Sequence, residues 1–470
     1  MPTWAPEGDK AAAWAKEDEA ERLDGEAERL DGQVDEALEQ ALRVDPTLPE
    51  ANHALAERLR ARQIAAELRR DANAAAHAEA RLRAHALTLP NELPLRARSL
   101  AWLAGDGALT VVTDPPGATV AVFRYETERR RLVPRFVKNL GPTPIHAAPL
   151  PFGSYLCELR HPERAAVRYP VHIERQGHWD GVPPNATAPR PVYLPRAYEL
   201  DRQDRYVPAG WTLSGGDAAA SDAMPRRRRW VDGFVIRAAP VTMAELIAFL
   251  DALVGAGKDA EALRFAPRLR GGGLGEPGAL LLGRKDDGTF VLRPDADGDV
   301  WLPYWPANSI DWWTTVAFAR WAADRDGLPW RLPGELEWEK AARGVDGRFF
   351  PWGDRFDPAF ASMRSSHAGR PAPVSVTAFP IDESPYGVRG LAGNMRDWCA
   401  EEWVGPEDAP DGQTVTVRWP PSGDPTRPRV DKGGSWFDTA LNLRAAGRRR
   451  NAPELRGTYL GFRLARPITG

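Results

Sequence analysis

The stretch Arg331-Leu-Pro-Gly-Glu-Leu-Glu-Trp-Glu-Lys-Ala-Ala-Arg-Gly344 joins a Leu-Pro-Gly turn to a run carrying apolar Leu336, Trp338 and Ala341. Glu335 opens that run, and an acidic residue is favoured at the positive end of the helix dipole, so the stretch predicts a capped helix. Just before it, residues 312–323 read as another helix. Around this pair the remainder of 206–470 is rich in Trp and Gly, with short elements and long irregular connections. FFPWGD (349–354), GVRGLAGNMRDWCAEEW (387–403), VDKGGSWFDTALNLRAAGRRR (430–450) and LGFRLAR (460–466) read as aromatic strands and turns.

Upstream the pattern changes twice. Residues 181–205, containing GVPPNATAPRPVYLPR, read as a Pro-rich linker in largely extended form. Residues 104–180 alternate apolar and polar positions around a Pro-Pro-Gly turn, as in LTVVTDPPGATVAVFRY, and read as a small all-β unit. Residues 1–103 are rich in Ala, Glu, Leu and Arg and read as helical. Within them a helix breaks at Asp45-Pro46 and a second one carries Ala51, Ala54, Leu55 and Leu59 at helical spacing, a tetratricopeptide-like junction. The first fifty residues hold 15 acidic against 5 basic groups and the next fifty 5 against 9. Solvated helix faces are the expected use of these charges. The fold class is thus α+β and multidomain.

Composition narrows the function. The chain has 470 residues, 43% of them apolar, enough for sizeable cores. Its net charge of −3 implies neither a nucleic-acid nor a membrane partner. Two cysteines, Cys157 and Cys399, are too few for a disulfide framework, and neither a signal peptide nor a membrane span is apparent, so a cytoplasmic location is expected.

In family order, Val207-Pro208-Ala209-Gly210, residues 231–250, RLPGELEWEKAARG, PWGD, GNMRDW, KGGSW and LGFR resemble the formylglycine-generating enzymes, or sulfatase-modifying factors. The resemblance implies a C-type-lectin-like fold over 206–470. Asp114-Pro115-Pro116-Gly117-Ala118, Gly141-Pro142-Thr143-Pro144 and Gly153-Ser154-Tyr155 resemble a PEGA domain, a spacer or binding module. The succession of helices, PEGA-like unit and lectin-like domain resembles the C-terminal portion of multidomain bacterial Ser/Thr kinases, although no kinase signature occurs.

Enzymes of the family oxidise cysteine in a Cys-x-Pro-x-Arg motif with O₂ and a copper(I) ion held by two cysteines shortly after Gly-Gly-Ser. Here Gly433-Gly434-Ser435-Trp436 is followed by Phe437-Asp438-Thr439-Ala440-Leu441-Asn442, without a thiol. Carboxylate and amide oxygens are hard donors and do not suit Cu(I), so no catalytic residue is assigned and copper is not expected. The family also binds calcium through a segment that here reads Gly390 to Asp397, leaving Gly393 and Asp397 as calcium candidates. An ion pair of Asp397 with an arginine is the alternative. Cys399 reads as a packing cysteine and His367, the domain's one histidine, as a surface residue. GGGLGEPG (271–278) reads as a flexible loop and Ser435 as a turn former.

A surface remains. Trp436, Asp438, Asn442, Arg448, Arg450 and Tyr459 lie in one segment between retained motifs, and Arg and aromatic residues are favoured at interface hot spots. Lectin-like variable proteins of diversity-generating retroelements, which the domain also resembles, bind ligands through their final segment. The expected function is that of a non-catalytic binding or sensor protein with a protein partner, an effector, kinase or protease in trans. A copper-dependent cysteine oxidase and a structural assembly subunit are the alternatives.

Overall fold

The structure is a computed structural model that describes residues 7–270, 277–294, 298–405, 412–421, 424 and 426–468. The glycine-rich loop expectation falls mostly on 271–276, outside the described residues. The chain divides into two units, Met1–Gly105 and Asp106–Gly470.

The first unit consists of helices α1 (Glu7–Val44), α2 (Pro49–Leu68), α3 (Ala72–Thr88) and α4 (Pro94–Ala104). α1 stops at the Asp45-Pro46 break, where Asp45 accepts the Thr47 amide at 2.9 Å. α2 restarts with Pro49, whose missing N–H is harmless in a first turn. Asp71 caps α3 by accepting the Ala74 amide at 3.0 Å, and Gly105, with φ of +65°, closes α4. Leu55, Leu59, Leu82, Leu95 and Leu103 form the small core. Glu19, Glu21, Asp24, Glu26, Glu28 and Glu36 of α1 lie exposed, while three other acids bridge to neighbouring helices. Asp31 and Asp35 of α1 pair with Arg58 and Arg62 of α2, and Glu39 meets Arg81 of α3 at 2.8 Å.

The second unit mixes sheet and helix. Its first part holds a four-stranded antiparallel sheet in the order Arg131–Pro142, Thr119–Glu128, Gly153–Arg160, Val167–Ile173. A second sheet pairs Asp106–Val111 with Ile145–Pro151 and His178–Trp179. The Pro-rich stretch packs onto this part: Val192–Tyr193 runs parallel to Thr113–Asp114, and the indole of Trp211 donates to Val182 O at 2.8 Å.

Helices α5 (Met243–Gly255), α6 (Asp259–Phe265), α7 (Trp312–Asp326) and α8 (Glu335–Arg343) lie in the remainder, giving eight α-helices among the described residues. Thr242 and Glu245 form a reciprocal cap on α5. Asp311 accepts the Thr314 amide at 2.9 Å to start α7, and Gly327 ends it in the left-handed region. Glu337 reaches back to the Gly334 amide at 2.9 Å to start α8. One core runs from Leu109, Val120 and Val171 of the first part through Phe249, Trp312, Trp330 and Phe462 of the remainder. No helix of the described residues is long and apolar enough to cross a membrane.

The start of α8 is deeply placed. Glu335, Glu337 and Glu339 are buried, each on an arginine. Glu337 takes Arg331 through two bonds of 2.6 and 2.7 Å, Glu339 takes Arg343 at 2.6 Å and Lys432 at 3.0 Å, and Glu335 takes Arg448.

Candidate functional site

The C-terminal sheet orders its strands as Arg448–Asn451, Arg429–Lys432, Arg396–Glu402 and Leu460–Gly461. Just past Lys432, Gly433 takes φ of +82° and swings the chain into the loop Gly434–Asn442. A Cβ on Gly433 would lie 2.8 Å from Leu391 O, and one on Gly434 would lie 2.4 Å from Ala392 O. The paired glycines therefore let this loop lie against the Gly-Asn-Met-Arg-Asp-Trp segment. That approach brings Arg396 to Asp438.

Asp438 is the hub of the loop. Its carboxylate accepts the Ser435 amide at 2.9 Å, the Ser435 hydroxyl at 2.6 Å and the Asn442 amide group at 2.9 Å, and it is ion-paired with Arg396, whose Nε lies at 2.9 Å. Burial works against its charge, but Arg396 and Ser435 hold the carboxyl below its usual range. Arg396 covers the Tyr459 ring at 4.9 Å, while the indole of Trp436 donates to Thr458 O at 3.0 Å. Trp436, Asp438, Asn442 and Tyr459 are thus brought together.

The same loop turns Phe437 and Leu441 outward, 49% and 62% exposed. The Arg364 guanidinium lies 4.3 Å from the Phe437 ring and donates to Phe437 O at 3.2 Å. From below, Arg449 braces the loop by donating to Gly433 O at 2.8 Å and Asn442 O at 3.2 Å.

Arg448 and Arg450 do not join this group. Alternate residues of a strand face opposite ways, so with Arg449 under the loop its two neighbours face away. Arg450 is exposed and lies 4.8 Å from the Trp403 ring. Arg448 has no solvent exposure, pairs with Glu335 and donates to Val404 O at 3.1 Å. The exposed arginine face expected over 448–450 is corrected accordingly: only Arg450 is on the surface, because Glu335 of α8 draws Arg448 inward. Phe437, Leu441 and Arg364 carry no sequence signal for this site, and strand alternation sets Arg449, one of the arginines of the 437–459 segment, apart from its neighbours.

A model described as the sulfatase-modifying factor enzyme 1-like domain matches residues 196–468, more than half of the chain. The chain belongs to the sulfatase-modifying factor family. It is 32% identical over 197 residues to a formylglycine-generating enzyme of Thermomonospora curvata, covering 38% of this chain and 61% of that protein. It is 27% identical over 273 residues to the serine/threonine-protein kinase Pkn1 of Chlamydia trachomatis serovar L2, in the C-terminal region of that kinase, covering 56% and 38% of the two chains. It is 32% identical over 174 residues to the inactive C-alpha-formylglycine-generating enzyme 2 of Mus musculus, covering 34% and 48%. The chain spans about six tenths or less of the length of each of these relatives.

In this sulfatase-modifying factor domain the residues after Gly-Gly-Ser do not fit copper(I). Asp438 and Asn442 are hard donors already engaged with Arg396, Ser435 and each other, and Leu443 is buried beside them. Cys399, the domain's thiol, is fully buried, and burial pushes its pKa well above the ordinary value.

At the calcium candidates, groups of the chain take most of the oxygens, and Asp397 Oδ1 is buried without a hydrogen-bond partner. Asp397 spends Oδ2 on Arg463 at 2.5 Å and on the Trp338 indole at 2.8 Å. The same guanidinium takes the carbonyls of Arg389 at 3.1 Å and Gly390 at 3.0 Å, so a fixed cation already sits among those oxygens. Gly393 serves close packing, since a Cβ there would stand 2.3 Å from Ser362 O. Among the described residues, no group of three or more His, Cys, Asp or Glu is placed to hold a metal ion.

Proposed function

We propose that the domain recognises a protein partner through the loop Trp436–Asn442 and performs no oxidation itself. The observation that carries this reading is the Asp438 hub. At the position after Gly-Gly-Ser where chemistry would need free soft ligands, Arg396, Ser435 and Asn442 satisfy a carboxylate, and directly above it Phe437 and Leu441 face solvent. A rigid base under exposed apolar side chains with flanking arginine suits a binding hot spot better than a reaction centre.

The similarity to an inactive formylglycine-generating enzyme supports the loss of chemistry, and the similarity to a kinase's C-terminal region supports a place in bacterial signalling. In this reading the domain has the C-type-lectin-like fold, the PEGA-like unit and helical arm present it, and the partner is a cytoplasmic effector, kinase or protease.

The test uses the full chain as bait in lysate, with a Phe437→Ser/Leu441→Ser variant as control. One protein retained by the wild type and lost by the variant supports the reading; equal retention by both overturns it. Incubation with copper(I), O₂ and a Cys-x-Pro-x-Arg peptide should leave the thiol intact, and appearance of an aldehyde would replace recognition by catalysis.

A further inference from the structure

α1 has a second face that its own unit leaves uncovered. Asp31, Asp35, Leu38 and Leu42 point toward α2, where Arg58, Arg62 and the leucine core receive them. About a quarter-turn around the helix, Ala20, Leu23, Ala27, Leu30 and Val34 recur at alternating spacings of three and four residues, the seam of a coiled coil. None of them is covered: Leu23 is 50%, Leu30 48% and Val34 44% exposed. Three large aliphatic side chains in one line on a polar helix exceed the isolated exposure that surfaces ordinarily show.

Charge selects the occupant. Glu19 and Glu26 flank the seam on one side, and Asp24 flanks it on the other, one turn and more before Asp31, which Arg58 and Arg62 of α2 already hold. The cations of this stretch, Arg22 and Arg29, stand on the opposite side of the helix; Arg22 is drawn toward Glu19 at 2.7 Å and Glu26 at 3.1 Å. Against a second copy of α1, parallel or antiparallel, these flanks would set acid against acid, and like charges at such positions reject a pairing. Lysines or arginines on a facing helix would meet carboxylates along both flanks.

We propose that the Ala20–Val34 face of α1 is a docking surface for a basic amphipathic helix of a partner protein, seated in coiled-coil fashion. This surface is independent of the loop around Asp438.

The experiment measures binding of a fluorescent synthetic peptide of about four heptads, with Leu in the core positions and Lys on both flanks. The full chain is titrated against it and anisotropy recorded. The expected result is saturable binding that weakens at least about tenfold for a Glu-flanked peptide, for a scrambled peptide of identical composition, and for the Leu23→Gln/Leu30→Gln variant. Circular dichroism of that variant checks that α1 stays helical. Equal binding of the scrambled peptide, or undiminished binding by a helical variant, overturns the proposal. Sedimentation equilibrium supplies the remaining arm: a wild-type dimer that the variant abolishes would assign the seam to a second copy instead.

Discussion

The guanidinium of Arg463 meets the carboxylate of Asp397 at 2.5 Å with both side chains wholly removed from solvent. Removing one member of such a pair strands the other without hydration, which costs about 3–5 kcal/mol. Arg463→Met should therefore lower the unfolding free energy in urea by that amount, and addition of calcium should not restore it.

Arg448 and Arg450 stand two residues apart and should respond oppositely. Arg448→Ala leaves Glu335 buried without its cation and should cost about 3–5 kcal/mol. Arg450→Ala gives up an exposed contact with Trp403 and should cost less than about 1 kcal/mol. Parallel urea titrations of the two variants check the contrast.

Glu401 accepts the Glu335 amide at 2.9 Å, and burial together with the nearby carboxylates of Glu335 and Glu337 pushes its pKa up to about 7. A carboxyl whose folded pKa exceeds its unfolded one binds its proton more tightly in the folded state. Its stabilisation is complete below the unfolded value, about 4.3, and is lost as pH rises through about 7. Stability measured from pH 4 to pH 8 should fall through that window, and the fall should be shallower in Glu401→Gln.

Two glycines should respond with opposite sign to alanine. At Gly434 the new methyl would meet Ala392 O at 2.4 Å, and the variant should lose about 1–3 kcal/mol in urea. Gly25 lies inside α1 with nothing within 4 Å of the added methyl, so Gly25→Ala should gain about 0.5–1 kcal/mol of helix stability, visible as increased ellipticity on heating.

Local signals were legible wherever one residue does one local job. The Asp45-Pro46 break lies just past the end of α1 at Val44, and the Leu-Pro-Gly turn leads into α8 at Glu335, each read from its own backbone chemistry. Asp438 and Asn442 were legible as members of one segment after Gly-Gly-Ser, where they meet at 2.9 Å. The direction of Arg448 was not. Arg-Arg-Arg has no hydrophobic contrast between its two faces, so only Glu335, 113 residues earlier, decides which side is interior. Arg396 and Asp438 are separated by 42 residues and meet only because two glycines admit the loop. The α1 acids were visible as composition, but their division between α2 and an uncovered seam depends on which residues face Arg58 and Arg62.

The joint between the β-rich first part and the remainder of the second unit has a mechanical meaning. The Leu132 amide donates to Trp352 O at 2.8 Å, Arg168 meets Glu383 at 3.3 Å, and Arg348 stacks on Tyr125 at 4.5 Å. Tension applied to one part passes into the other through side chains and backbone at once, with no slack tether between them. A chain trimmed to begin at 206 would uncover Tyr206, Trp211 and Arg348 together, so a piece meant for expression or transplant should keep the residues from 106 onward.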